Sequence, residues 1–158
     1  MNITNLFKIQ REISNELAVD SNLSDYKILA RKNLELTIKI SDLARATNCY
    51  KYWISDDPIL DNNKIFEKYI SCFIQIISLG LNNNYTDIEE VNVEPSEYCL
   101  SDEFINLFID INDLIISPSK DHFITLLEDF LSLSINLDFS EGMVLDGFYQ
   151  NSPLNLAL

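Results

Sequence analysis

Few side chains in this sequence are of a kind, and at a spacing, that could do chemistry. There is no GxSxG elbow, no Walker loop, no GxGxxG and no HExxH. The single histidine, His122, leaves no Ser-His or Cys-His pair beyond chance, and it cannot complete a common structural zinc site. The three cysteines, Cys49, Cys72 and Cys99, form no CxxC pair and are expected as small buried or half-buried side chains. What remains is carboxylate chemistry. The stretch 34–54, LELTIKISDLARATNCYKYWI, and the stretch 66–80, FEKYISCFIQIISLG, stand out for it.

The elements that must position these groups are helices. Leu6, Gln10, Ile13 and Leu17 recur at three- and four-residue spacing and predict a first helix over 4–18. Ser24-Asp25 supplies an N-cap for a second helix to about Cys49, whose apolar set includes Leu36, Ile40 and Leu43. Ser55-Asp56-Asp57-Pro58 breaks the pattern. A third helix is expected from Asp61 to Gly80, with Gly80 as a left-handed stop. Residues 81–99 read as a polar connecting loop. Ser101-Asp102-Glu103 is expected to cap a fourth helix to Ile116, a fifth covers 119–137, and Ser140-Glu141 caps a short sixth. The whole is an all-α bundle of five to six helices in a single domain, 1–158.

Composition narrows the function classes. The chain has 158 residues, 47% of them hydrophobic, with only 3 Gly and 4 Pro, so collagen-like, linker-like and many-turned all-β architectures are excluded. Asp and Glu number 25 against 11 Lys and Arg, a net charge of −14. That sign repels phosphate backbones and anionic lipid, so neither a nucleic acid nor a membrane surface is an expected partner. It suits a protein that holds a divalent cation or meets a partner with a basic surface. No apolar run approaches the ~18 residues of a membrane span, and Met1-Asn2-Ile3-Thr4-Asn5 lacks the features of a secretory leader, so a cytoplasmic setting with reduced thiols is expected.

Collinear segments carry a resemblance. Ser41-Asp42-Leu43-Ala44-Arg45-Ala46, then Tyr50-Lys51-Tyr52-Trp53, then Phe66 through Gly80 follow one another in order, flanked by Leu6-Phe7-Lys8-Ile9-Gln10 and by Phe139-Ser140-Glu141 through Tyr149. Together they resemble the dimeric all-α dUTPases, relatives of the MazG-type nucleoside triphosphate pyrophosphatases. That family's pattern has E-x-x-E and L-A-N-E on one helix, an F-K-Y-W segment, and a helix reading E-E-Y-x-D-x-x-H-F-x-L-S-L-G. The resemblance implies a dimer, formed with itself or with a paralogue. It also implies two facing helices whose carboxylates hold Mg²⁺ for cleavage of dUTP to dUMP.

At the implied metal positions the sequence departs from the family. The E-x-x-E becomes Lys39-Ile40-Ser41-Asp42, the later Glu becomes Ala46, and E-x-x-D becomes Lys68-Tyr69-Ile70-Ser71. Only Asp42 keeps a carboxylate. Mg²⁺ requires hard oxygen donors, and ammonium groups repel it, so no Mg²⁺ cofactor is expected. Lys39 and Lys68 are candidates to stand in for the ions and neutralise Asp42. Alternatively, Glu35 and Asp42 share a face with Lys39, and with Glu67 they would make a relocated metal site in an active dUTP or dUDP pyrophosphatase. The implied base-recognition residues are better kept: Gln10, Lys51 and Trp53, each of which also has a plain structural role as helix edge, surface charge or packing anchor. Ile74 replaces the family histidine, and after Tyr149 only Asn151 and Asn155 remain of the implied polar tail, with no Lys or Arg beyond Lys120. The expectation is a catalytically impaired or inactive dUTPase-like protein that acts by binding a protein or a deoxyuridine nucleotide.

Overall fold

A computed structural model describes residues 1–151. They form six helices: α1 (Thr4–Glu16), α2 (Asp25–Thr47), α3 (Asn62–Asn82), α4 (Leu100–Ile116), α5 (Lys120–Asn136) and α6 (Glu141–Asn151). Among the described residues there is no strand, only an isolated antiparallel bridge between Asn2 and Glu90. The all-α expectation holds, with element positions within a few residues of those read from periodicity.

Capping chemistry explains several starts. The Ser24 hydroxyl accepts from the Lys27 amide at 3.2 Å, the Asp61 carboxylate from the Lys64 amide at 3.1 Å, and the Ser119 hydroxyl from the His122 amide at 3.1 Å. At α2's end Asn48 adopts φ 56°, the left-handed conformation that an Asn tolerates.

Three expectations are corrected. Ser101-Asp102-Glu103 does not cap α4: Cys99 is the N-cap and makes no side-chain cap bond, while the two acids lie within the first turn. Cys99 is exposed rather than buried, because a cap position faces solvent; Cys72 is buried and Cys49 is half-buried. Gly80 is not a left-handed stop. The helix continues to Asn82, and no glycine has a positive φ. Gly80 answers to crowding instead: a Cβ there would lie 2.4 Å from Phe123 Cζ and 2.9 Å from Phe7 Cε1.

α3 is the central helix, buried nearly all round, and α1, α2, α5 and α6 all pack on it. That explains why its sequence is the most uniformly apolar. Tyr69 of α3 stacks on Phe130 of α5 with ring centroids 4.5 Å apart, and its hydroxyl donates to the Phe130 carbonyl at 3.2 Å. α2 lies along α3 through Leu36, Ile40 and Leu43, all fully buried, and α4 pairs with α5. The connection 83–99 is held to the N-terminus by the Ile3 amide donating to the Glu89 carbonyl at 2.9 Å and the Val91 amide to the Met1 carbonyl at 2.9 Å.

Candidate functional site

The α2–α3 interface is the place to look for carboxylate chemistry, because two long helices run along each other there. Its inner row is apolar, and its rim carries the polar residues. At one end the Lys32 ammonium donates to Ser78 Oγ at 2.9 Å and Asn82 Oδ1 at 2.5 Å, while Gln75 Nε2 donates to the Lys32 carbonyl at 2.9 Å. Burial lowers the Lys32 pKa, and Glu35 opposes that.

Further along, Lys39 and Asp42 of α2 and Lys68 of α3 are near enough to the buried Cys72 for their charges to act on its thiol. Burial pushes the Cys72 thiol up to about 12; the nearby ammonium groups of Lys39 and Lys68 pull it down, and Asp42 pushes it up. Lys39 and Asp42 thus lie on α2 and Lys68 on the neighbouring α3, at positions where the resemblance implies carboxylates. Lys39 does not pair with Asp42. Its ammonium lies 3.0 Å from Glu35 one turn earlier, so the neutralising role expected of it is directed at Glu35. Among the described residues, Asp42 and Lys68 belong to no ion pair.

Of the alternative metal site, Glu35 and Asp42 lie on α2 and Glu67 on α3. Glu35, Asp42 and Glu67 are all exposed. Among the described residues no group of three His, Cys, Asp or Glu side chains is arranged to hold a metal ion. Ala46 and Ser71, at the other replaced positions, are half-buried and offer no carboxylate. At the positions where the resemblance implies carboxylates Asp42 alone carries one, fewer hard oxygen donors than a Mg²⁺ site usually has.

The implied base-recognition residues lie on three different elements. Gln10 of α1 is 5% exposed, and its Oε1 is buried with no hydrogen-bond partner. Trp53 sits in the connection between α2 and α3, 48% exposed, so it is not a core anchor of this chain. Its ring meets Tyr52 edge-on at 5.1 Å and Tyr50 at 6.2 Å, and the Lys51 ammonium lies 5.9 Å from its centroid. Lys51 is also paired with Asp57 at 2.5 Å, and that hydrogen bond holds the Asp57 carboxyl below its ordinary range. Asn151 donates to the Gly147 carbonyl of its own helix at 2.9 Å. Asn155 lies outside the described residues. No hydrogen bond or ring contact joins Gln10, Trp53 and Asn151 to one another among the described residues.

Sequence reasoning missed a second polar centre. Glu103, Asp110 and Asp129 lie where α4 packs on α5; Glu103 is 5% exposed and accepts from Asn136 Nδ2 at 2.8 Å, and Asp110 is paired with Asp129. The available signal was Glu103 and Asp110 at i and i+7, one helix face, bordering the apolar stripe of Phe104, Leu107 and Ile111.

A family model described as dUTPase matches residues 2–157, nearly the whole chain. No curated protein and no solved structure matches it. No helix among the described residues is long and apolar enough to cross a membrane.

Proposed function

The chain belongs to the all-α dUTPase family, and from that premise we propose that it has lost the family's metal-dependent hydrolysis and acts by binding. Its ligand is a deoxyuridine nucleotide or a protein partner with a basic surface. What supports this reading is Lys39 on α2 and Lys68 on α3, at positions where the family resemblance implies carboxylates and only Asp42 keeps one. At ~4 Å and an effective dielectric of ~20, an ammonium repels a dication by ~8 kcal/mol, where a carboxylate would attract it by as much. On this reading those residues do not serve as a Mg²⁺ site, and no hydrolytic step is assigned to them.

Gln10 favours nucleotide as one ligand. An amide oxygen buried without a partner is costly by ~1–3 kcal/mol, and the uracil ring presents an N–H that would satisfy it. Phosphates would then meet Lys39 or Lys68, which need no metal to attract them, and Lys51 and Trp53 would flank the base. The exposed Leu34 and Ile38 of α2 and Ile105 and Ile109 of α4 support a functional unit larger than one chain, a dimer with itself or with a paralogue.

The test measures dUTP conversion to dUMP and pyrophosphate at stoichiometric protein, with Mg²⁺ and with EDTA, alongside thermal stability with dUMP, dUDP and dUTP in EDTA. No turnover, with stabilisation by the nucleotides or capture of a basic partner, is expected. Turnover in Mg²⁺ that EDTA abolishes would overturn the reading and establish an active dUTP or dUDP pyrophosphatase with rearranged carboxylates. Light scattering should give about twice the 18.2 kDa chain mass for the homodimer, and the single-chain mass would refute it.

A further inference from the structure

Two of the three free thiols lie at one end of the bundle, and the path of the chain puts them there. Lys32, in the first half of α2, donates to Ser78 and Asn82 near the end of α3, so these helices run antiparallel and the end of α2 lies beside the start of α3. α5 is antiparallel to α3 as well. Tyr69 in the first half of α3 stacks on Phe130 in the second half of α5, while Gly80 near the end of α3 meets Phe123 near the start of α5. The end of α5 therefore sits at that same end of the bundle. It holds the start of α4, because Asn136 Nδ2 donates to Glu103 Oε2 at 2.8 Å and to the Tyr98 carbonyl at 3.4 Å. Cys49 lies just beyond the end of α2, Cys99 is the N-cap of α4, and α2 packs on α4. The two are near enough that charge on Cys99 acts on the Cys49 thiol, adding to the upward push of burial.

Neither thiol is fully enclosed. Cys99 is exposed and makes no side-chain cap bond, and its Sγ lies 3.2 Å from Ser101 Oγ, a weak contact for a thiol. Cys49 is half-buried and follows Asn48, whose left-handed backbone at φ 56° has already ended the helix. Both cysteines thus sit where helices end, and a small backbone movement costs less there than within a helix. Cys72 differs: buried within α3, it is shielded from a dissolved oxidant.

We infer that Cys49 and Cys99 are a redox pair: under thiol-oxidising conditions they form a reversible disulfide that staples the end of α2 to the start of α4. With a small disulfide such as oxidised glutathione as the oxidant, the more accessible Cys99 reacts first. Its thiolate attacks one sulfur of the reagent, a mixed disulfide forms and one glutathione thiolate leaves. Cys49 then gives its proton to water, its sulfur attacks the Cys99 sulfur, and the second glutathione thiolate leaves. Two protein thiols are oxidised and the reagent disulfide is reduced to two thiols. The bridge pins the root of the connection that carries Lys51 and Trp53. It does not depend on what the α2–α3 face binds.

The full chain, reduced and then incubated with oxidised glutathione in native buffer and in concentrated urea, tests it by intact mass and by mapping of disulfide-linked peptides. The native protein is expected to lose two hydrogens and to carry a Cys49–Cys99 bridge, at least about tenfold more abundant than the glutathione adduct of Cys99. The reason is that an adjacent thiol presents an effective concentration of roughly millimolar or more, far above that of the released glutathione. In urea this preference should disappear, and Cys72 should join in the bridges. Cys49→Ala should stop at the adduct on Cys99, Cys99→Ser should give no bridge, and dithiothreitol should restore the parent mass. Cys49→Ser replaces Cys49→Ala should the latter fail to fold. An adduct on Cys99 alone in the native parent, a Cys99–Cys99 bridge between two chains, a bridge through Cys72, or a Cys49–Cys99 bridge that forms no more readily than in urea would overturn it.

Discussion

Replacing Gly80 with Ala should destabilise the protein, although alanine is the better helix former. Gly80 lies inside α3, so helix propensity alone favours Ala by ~1 kcal/mol. Against that, the new methyl would sit 2.4 Å from Phe123 Cζ, 2.9 Å from Phe123 Cε1 and 2.9 Å from Phe7 Cε1, where ordinary contact begins at 3.4 Å. Phe123 is fully buried and already lies against Tyr85, ring centroids 5.5 Å apart, so the ring has no free direction in which to retreat. Overpacking a filled core costs ~1–3 kcal/mol, and a clash with two rings belongs at the upper end. The net loss is ~2 kcal/mol, a fall in Tm of ~4–8 °C for a chain of this size. Urea unfolding followed by circular dichroism, with an unchanged m-value, would measure it. Gly142→Ala is the matched control. Its Cβ meets nothing nearer than Ser140 Oγ at 4.0 Å, so it should stabilise by ~0.4–1 kcal/mol. In a Phe123→Leu background the Gly80→Ala penalty should shrink, because the obstructing ring is gone. A Gly80→Ala protein as stable as the parent, or a penalty unchanged in that background, would refute the close-approach explanation.

Burial, with the neighbouring Asp129 carboxylate, pushes the Asp110 carboxyl up to about 7, whereas in the unfolded chain it titrates near its ordinary value. A folded-state pKa raised in this way contributes stability that is complete below about pH 4 and is lost as pH rises to about 7, so stability should decline across that window. Asp110→Asn should flatten the decline and be the more stable protein at pH 8; an unaltered slope would contradict the assignment. Among the thiols, exposed Cys99 should react first with an aromatic disulfide reagent, and Cys72, buried with its thiol pushed up to about 12, only on unfolding. Reaction of Cys72 at the Cys99 rate in native buffer would show that α3 is not packed as described. Trp53 is the only tryptophan and is 48% exposed, so its emission should be red-shifted in the free protein and change on adding dUMP in EDTA. A spectrum insensitive to saturating dUMP would remove Trp53 from the nucleotide site.

Periodicity made the helices legible because each buries one stripe, and Ser24, Asp61 and Ser119 marked their own starts through side-chain caps. Gly80 misled because glycine has two uses, left-handed backbone and close approach, and only the position of Phe123, 43 residues away in the sequence, distinguishes them. Glu103 misled for a similar reason. An acid in the first turn of a helix is a normal dipole complement, and nothing local says that the 92–98 segment folds over it. That Lys39 and Lys68 are cations was legible from residue type alone, since charge sign does not depend on packing. The partner of Lys39 was not, because Glu35 at i−4 and Asp42 at i+3 are both within reach and only the side-chain conformation selects Glu35.

The same geometry explains why lysines on the rim of the α2–α3 pair are compatible with the fold. The contacts that hold α2 to α3 come from Leu36, Ile40 and Leu43 against the buried row of α3, whereas Lys39 and Asp42 lie on the rim, half-buried and exposed. Substitutions on the rim alter charge without opening a cavity, so they escape the several-kcal/mol penalties that core changes incur. Carboxylates clustered to receive a dication repel one another when it is absent, and that repulsion is a cost of function. With Lys39 on Glu35, and Lys68 and Asp42 also on these two helices, this face has charges of both signs and no such repulsion to offset. Restoring Lys39→Glu and Lys68→Glu together should therefore lower stability in EDTA, and Mg²⁺ should recover it if two carboxylates beside Asp42 suffice to bind the ion. A double variant as stable as the parent in EDTA would mean that the rim charges are too well solvated to matter, and the lysines would then carry no weight as evidence about function.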